Sequence, residues 1–115
     1  MHEFEIPIVK KIYELYRDFH LLRTKVPKAD RHTIFQRCDN LIIELLDDTL
    51  EASQHFKSQK LPALEKASRK LSFLRIFFRL MKDVGSISLK VYAAYEERID
   101  EIGRMLGGWI RSSKN

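Results

Sequence analysis

The sequence predicts an all-α fold, an antiparallel up-down-up-down four-helix bundle formed by a single domain over residues 1–115. Four segments carry apolar residues at the alternating spacings of three and four that define one face of a helix. The connections between these segments are short, so consecutive helices are expected to run antiparallel. Only four Gly and three Pro occur in the chain, fewer turn residues than an all-β sandwich or barrel normally requires.

The first two helices are predicted over residues 7–26 and 31–56. Pro7 suits a first helical turn, where its missing N–H would be unpaired anyway, and Pro27 ends the first helix. Asp30 is the predicted N-cap of the second helix, because its carboxylate can accept from free amides of the first turn. The apolar stripe of the second helix is expected to comprise Ile34, Cys38, Leu41, Leu45, Thr49, Ala52 and Phe56.

The third and fourth helices are predicted over residues 62–82 and 86–110. Gly85 can adopt the left-handed conformation that closes a helix such as the third. The fourth helix contains Gly103, Gly107 and Gly108, each of which lowers helix propensity by about 1 kcal/mol relative to Ala, so we expect it to fray or end there. Its single Trp, Trp109, either caps the end of the bundle or anchors a partner.

A second apolar stripe lies beside the first on two of the helices. It comprises Ile42, Leu46 and Leu50 on the second helix, and Phe73, Phe77 and Leu80 on the third. One interpretation is that these residues widen the core of the bundle. The other is that they form a subunit interface, since large contiguous apolar surfaces on small proteins usually mark one. The pattern leaves both interpretations open.

Positive charge is concentrated in the third helix. The chain has a net charge of +5, and residues 57–82 hold eight Lys and Arg against one acidic residue. Arg75, Arg79 and Lys82 are spaced i, i+4 and i+7, so they share one face, and Lys66 and Lys70 form a pair one row over. Either the acidic second and fourth helices neutralise these charges, or the charges form a strip that contacts phosphates without reading bases.

The sequence carries no motif for catalysis. It has no glycine-rich phosphate loop, and the pairing of Glu51 with His55 lacks the second pair of ligands that a metal centre needs. Cys38 is alone, falls in the apolar stripe, and is interpreted as a small core residue. We therefore expect no enzyme, no cofactor and no metal. There is no long apolar run and no signal peptide at the N-terminus, so a cytoplasmic protein without a membrane partner is expected.

Several segments, in this order and spacing, resemble the accessory variability determinant proteins of diversity-generating retroelements. They are Tyr-Glu-Leu at residues 13–15, Lys-Val-Pro-Lys-Ala-Asp-Arg at 25–31, Leu-Ser-Phe-Leu-Arg-Ile-Phe-Phe-Arg-Leu at 71–80 and Ile-Gly-Arg-Met-Leu-Gly-Gly-Trp at 102–109. The resemblance covers nearly the whole chain. A wider family of four-helix bundles includes the intervening-sequence protein of large ribosomal RNA genes, and it shares the N-terminal segment and the third helix. Assignment to the retroelement branch therefore depends on the last segment, residues 102–109.

The resemblance implies a non-catalytic homo-oligomer, a basic barrel of five bundles. It implies association with the retroelement's reverse transcriptase and with its template RNA and cDNA, bound without strong sequence preference. The residues that would form this surface are Lys66, Arg69, Lys70, Arg75, Arg79 and Lys82, with Arg31 and Arg104 in second rank. The alternative function is that of a ribosome- or rRNA-associated bundle with no reverse-transcriptase partner.

Overall fold

Four long helices dominate the computed structural model, which describes residues 6–114. Their bounds are α1 Pro7–His20, α2 Ile34–Ser53, α3 Leu61–Asp83 and α4 Leu89–Ser113. Helix α2 packs against α1 and α3, and α4 packs against α3 and α1. Residues 6–114 contain no strand, so the all-helical prediction is confirmed. Residues 1–5, where the sequence predicts no signal peptide, and Asn115 lie outside the described residues.

The connection between α1 and α2 differs from the sequence prediction. After His20 the chain tightens into a 3-10 helix, Leu21–Lys25, and Pro27 is followed by a single helical turn, Lys28–Arg31. Helix α2 then begins at Ile34, and its N-cap residue makes no side-chain hydrogen bond to the helix. The prediction that Asp30 caps this helix is therefore wrong. The Asp30 carboxylate instead accepts a hydrogen bond of 2.6 Å from the Ser86 hydroxyl, which ties this connection to the one between α3 and α4.

Helix α2 ends earlier than its apolar stripe predicts. The last helical residue is Ser53, and the amides of Gln54 and His55 bond to carbonyls only three residues back. Phe56 therefore leaves the stripe, and its side chain is 83% exposed instead of lying in the core. The chain turns through a short 3-10 helix, Lys57–Lys60, before α3 begins.

The junction between α3 and α4 follows the predicted pattern at Gly85. Gly85 has a positive φ of 83°, its amide bonds to the Lys82 carbonyl at 3.0 Å, and the Ser86 amide bonds to the Met81 carbonyl at 2.8 Å. These two bonds form a Schellman motif, which satisfies carbonyls that the helix end leaves free. Helix α4 starts after Ser88, whose hydroxyl accepts from the Val91 amide at 3.1 Å and thereby caps the helix.

Helix α4 continues through its three glycines to Ser113. The expectation that it frays or ends at Gly103, Gly107 or Gly108 is therefore wrong. Tertiary packing outweighs the low propensity of these residues: Ile102 and Leu106 are buried, and Trp109 and Ile110 pack partly buried against the core. This position of Trp109 favours the interpretation that it closes the end of the bundle.

The core lies between the four helices and is built mainly from their first apolar stripes. Its largest fully buried side chains are Phe19, Phe35, Phe78, Ile12, Leu15, Ile42, Leu45, Leu64, Leu74, Met81, Ile99 and Ile102. An aromatic cluster centres on Phe19, whose ring stacks on Phe35 at a centroid distance of 4.7 Å and meets the edges of Phe78 and Tyr95. Within residues 6–114, no helix is both long and apolar enough to cross a lipid bilayer.

The two second stripes have different environments. On α2, Ile42 is buried, and Leu46 and Leu50 are partly buried against the core, so this stripe widens the interior. On α3, Phe73 is 50% exposed and Leu80 is 42% exposed. Phe77, the third member of the α3 stripe, packs partly buried against the core. Helix α3 therefore keeps an apolar surface facing solvent at Phe73 and Leu80, and a subunit interface there stays a prediction.

Cys38 is expected to resist alkylation in the folded protein. It is fully buried on α2, and this burial raises the pKa of its thiol to about 12. Because the thiolate is the nucleophile, a thiol with a raised pKa reacts slowly near pH 8. Mass spectrometry after iodoacetamide treatment should show an unmodified native chain and a fully modified chain in denaturant. Modification of the native chain at the rate of a free cysteine would contradict the burial of Cys38.

Candidate nucleic-acid and partner interface

Six cations predicted as site residues lie on α3, but they point to different sides of the bundle. Lys66 and Lys70 reach towards α2, where they meet acidic side chains of that helix. Arg75 and Lys82 reach towards α4, where they meet Asp100 and the ring of Tyr92. The α3 cations therefore do not form one continuous strip.

On the α2 side, the lysines are neutralised by an acidic cluster. The Asp48 carboxylate is almost fully buried, and its Oδ2 lies 2.8 Å from the Lys70 Nζ, an ion pair without hydrogen-bond geometry. Lys66 lies 3.9 Å from Asp48 and 3.7 Å from Glu51, and Lys70 lies 3.9 Å from Glu44. Two lysines thus face three carboxylates, so this cluster joins α2 to α3 and offers little positive charge to an anion.

On the α4 side, Arg75 crosses to the neighbouring helix. Its guanidinium forms a short ion pair with Asp100 of α4. The guanidinium passes close over Gly103: a Cβ at this position would lie 2.6 Å from the Arg75 Nη2, so the end of the arginine side chain would have to shift. Gly103, in the segment 102–109, therefore leaves room for the guanidinium. The ion pair with Asp100 gives Arg75 a role in holding α3 and α4 together.

Arg79 and Lys82 lie further along the same side of α3. Arg79 is the more exposed of the two, at 71% of its side chain, and its Nε lies 3.8 Å from the Asp83 carboxylate. The Lys82 Nζ lies 3.4 Å from Asp83 and 4.9 Å from the ring centroid of Tyr92. Exposed ion pairs of this kind are weak. Because Arg79 is exposed and only weakly paired, its guanidinium is accessible to an anion.

Two further cations, Arg69 and Arg104, are exposed and have no ion-pair partner among residues 6–114. Arg104 shares a groove between α3 and α4 with Arg75. The walls of this groove carry small side chains at i, i+4 spacing: Ser68 and Ser72 on α3, and Gly103 and Gly107 on α4. Arg69 lines a separate groove on the α2 side. Facing pairs of small residues are the sequence signal that could have predicted the α3–α4 groove.

Arg31, the other second-rank residue, holds the connection between α1 and α2. Its Nε donates to the Val26 carbonyl and its Nη2 donates to the Thr24 carbonyl, both at 2.9 Å. Its own carbonyl accepts from Arg23. These bonds engage the Arg31 guanidinium within the chain and separate it from the α3 cations.

The candidate metal ligands do not converge. Because α2 ends at Ser53, Glu51 and His55 do not share a helical face, although both line the Arg69 groove. Within residues 6–114 no three His, Cys, Asp or Glu side chains are placed to hold a metal ion. Among the predicted site residues on the α4 side of α3 and on α4 itself, the exposed guanidinium groups with the weakest internal pairing are those of Arg79 and Arg104.

Comparison with known proteins identifies the family. No curated protein and no solved structure shows significant similarity to this chain. A family model described as bAvd-like matches residues 6–113, which is nearly the whole sequence. This match confirms the resemblance to the accessory variability determinant proteins: the chain belongs to the bAvd-like family.

Proposed function

We propose that this protein is a non-catalytic accessory subunit of a diversity-generating retroelement. In this role it binds the reverse transcriptase, the template RNA and the cDNA during mutagenic retrohoming. The observation that carries the proposal is the match of the bAvd-like family model over residues 6–113. The family is an accessory, non-catalytic type of protein, and a cytoplasmic location is part of the proposal.

The surface proposed for these contacts is the α3–α4 basic surface, formed by Arg75, Arg79, Lys82 and Arg104. Within ion-pair distance its four cations meet two carboxylates, Asp83 and Asp100, and Arg104 also lines a groove with Glu97 and Glu101. Arg79 and Arg104 are its most available members, because one has only a 3.8 Å ion pair and the other has none among the described residues. Guanidinium groups bind phosphate oxygens readily, and phosphate contacts carry no base preference.

An antiparallel up-down-up-down arrangement of the helices is part of this proposal. It is supported by pairs of contacts in which residue numbers rise along one helix and fall along its neighbour. On α1 and α2, Tyr16 contacts Asp39, whereas Arg23, just beyond α1, contacts Gln36. The short connections favour the same arrangement.

Assembly into a homopentamer is proposed through two different apolar surfaces. The first is the α3 apolar face: Phe73, Ile76, Phe77, Leu80 and Val84. The second is a shallow groove on α2, formed by Ile43, Leu46 and Leu50 and edged by Glu44 and Asp47. A contact between two unlike surfaces is heterologous and closes into a ring when the rotation allows. The number five comes from the family resemblance.

The α3–α4 basic surface would also serve the alternative function, a ribosome- or rRNA-associated bundle without a reverse transcriptase. The genomic neighbourhood separates the two functions. A nearby reverse-transcriptase gene with template and variable repeats supports the retroelement role, and their absence supports the alternative.

Co-purification tests the proposal directly. When the tagged protein is expressed with the reverse transcriptase and the template RNA of its own element, we expect all three to purify as one complex. The variant Arg79→Glu/Arg104→Glu tests the α3–α4 basic surface. It should lose one or both partners while keeping its helical circular dichroism spectrum. If the wild-type protein purifies without the reverse transcriptase and without the template RNA, and sediments with ribosomes, the alternative function is supported.

A further inference from the structure

Phe56 is the most exposed large hydrophobic residue among residues 6–114, at 83%. It lies in the connection between α2 and α3, where no other aromatic ring of the described residues contacts it. Its backbone carbonyl is hydrogen-bonded within the connection. The Phe56 carbonyl accepts from the amides of Gln59 and Lys60 at 2.9 and 3.1 Å, and it thereby opens the 3-10 helix Lys57–Lys60. The ring thus faces solvent at the start of a hydrogen-bonded turn.

The surroundings of this ring are basic. No acidic residue occurs between Glu51 and Glu65, a stretch that includes Lys57 and Lys60. Lys57 is exposed and has no ion-pair partner among the described residues. Lys60 is held in place: its Nζ donates to the Ala52 carbonyl at 2.9 Å and lies 5.7 Å from the ring centroid of Trp109. An exposed aromatic residue is therefore followed directly in the sequence by an exposed lysine.

A groove on the α2 side of α3 leads from this connection to Arg69. Its lining includes His55 and Gln59 from the connection, and Lys66 and Arg69 together with the carboxylates of Glu51 and Glu65. Because Lys66 is already paired with Asp48 and Glu51, Arg69 is the available cation of this groove. Arg69 is the α3 cation without an ion-pair partner among residues 6–114. A flexible polyanion that touches Phe56 can follow this groove to the Arg69 guanidinium, on the opposite side of α3 from Arg75.

We propose that Phe56 is a stacking platform for one unpaired base of a single-stranded nucleic acid, with Lys57 and Arg69 contacting the flanking phosphates. This inference rests on the proposed nucleic-acid function and specifies the form of nucleic acid that the α2–α3 connection takes. Every base presents a flat π-face, so stacking on an aromatic side chain is tolerant of sequence. The bases of a duplex are already stacked on each other, so a duplex should not use this ring.

The test compares binding of a fluorescein-labelled oligothymidylate with binding of a labelled DNA duplex of the same length. Removing one base–aromatic stack by Phe56→Ala should weaken single-strand binding by roughly 5- to 100-fold and leave duplex binding unchanged. Phe56→Leu keeps an apolar side chain without a π-face, so it should behave like Phe56→Ala, whereas Phe56→Trp should bind like the wild type. In a Trp109→Phe background, the fluorescence of the Phe56→Trp variant should be quenched by the oligothymidylate and not by the duplex.

Each other outcome overturns the inference. If the wild type binds both probes and Phe56→Ala binds them equally well, base stacking is wrong while the nucleic-acid function stands. If Phe56→Leu binds like the wild type, the site recognises apolar surface rather than a π-face. If Phe56→Ala alters the oligomeric state in light scattering, the ring is covered by a second copy of the chain. If the wild type binds neither probe, the nucleic-acid function fails and the stacking site fails with it.

Discussion

Replacing Phe73 and Leu80 together by aspartate is expected to turn the assembled protein into a folded monomer of 13.7 kDa. Both side chains are about half exposed in the isolated chain, so their replacement should leave the bundle intact. In the assembly they would be buried, and each buried side chain of this size contributes about 1.5–3 kcal/mol. Because only about half of each side chain is left to bury, losing two should weaken each subunit contact by at least roughly tenfold, before the cost of burying two carboxylates is added.

Light scattering at micromolar concentration measures this change, and circular dichroism checks the fold. The matched control is Leu21→Asp/Leu89→Asp, which changes two side chains that are even more exposed, at 68% and 70%, but that lie outside the α3 apolar face. The control should assemble like the wild type. A stable wild-type monomer at the same concentration, or a Phe73→Asp/Leu80→Asp variant that still assembles, would contradict an interface on α3.

Helix positions were predictable where the chain itself marks them. Pro62 and Gly85 bracket α3, and the structure places the helix at Leu61–Asp83, within one residue of the prediction at each end. The end of α2 carries no such mark. The spacing from Ala52 to Phe56 continues the apolar stripe, yet the chain leaves the helix after Ser53. Periodicity describes which face a residue would occupy if the helix continued, and it does not show where the helix stops.

The roles of single polar residues were less predictable, because they depend on partners distant in sequence. Asp30 has the residue type of an N-cap, but its partner is Ser86, on the connection at the far end of α3. Gly103 has a low helix propensity, but it permits Arg75 to cross to Asp100. Local preferences of about 1 kcal/mol are readily outweighed by such tertiary contacts.

Charge distribution predicted the candidate site in part. The acidic surplus of residues 29–56 suggested that α2 neutralises some α3 cations, and Asp48 does so for Lys66 and Lys70. The i, i+4, i+7 spacing placed Arg75, Arg79 and Lys82 on one side of α3, and the structure agrees for the two that reach α4. Spacing along one helix cannot reveal which acids on neighbouring helices pair with each cation, so the individual availability of the arginines emerges only from the fold.

Arg79 and Arg104 are more available to phosphates than Arg75, and this difference predicts how charge reversal affects nucleic-acid binding. Affinity for RNA and DNA should fall steeply with salt, by about 0.7–0.9 log units per log unit of salt for each phosphate contact. Reversing the charge of Arg79 and Arg104 should weaken binding to all sequences alike and flatten the slope by roughly 1.4–1.8 for the two contacts. Reversing Arg75 and Arg79 should act in the same direction but less strongly, because Arg75 is already paired with Asp100.

Fluorescence anisotropy with unrelated RNA and DNA sequences, measured over a range of salt concentrations, gives both the affinity and the slope. The variant Lys10→Glu/Lys90→Glu makes the same change in net charge at exposed positions on α1 and α4, so it controls for general repulsion and should change the slope least. Binding unchanged in Arg79→Glu/Arg104→Glu, with fold and assembly intact, would contradict phosphate contacts on this surface. If that variant instead loses only the reverse transcriptase, the α3–α4 basic surface docks an acidic patch of the polymerase, and the nucleic acid is bound elsewhere.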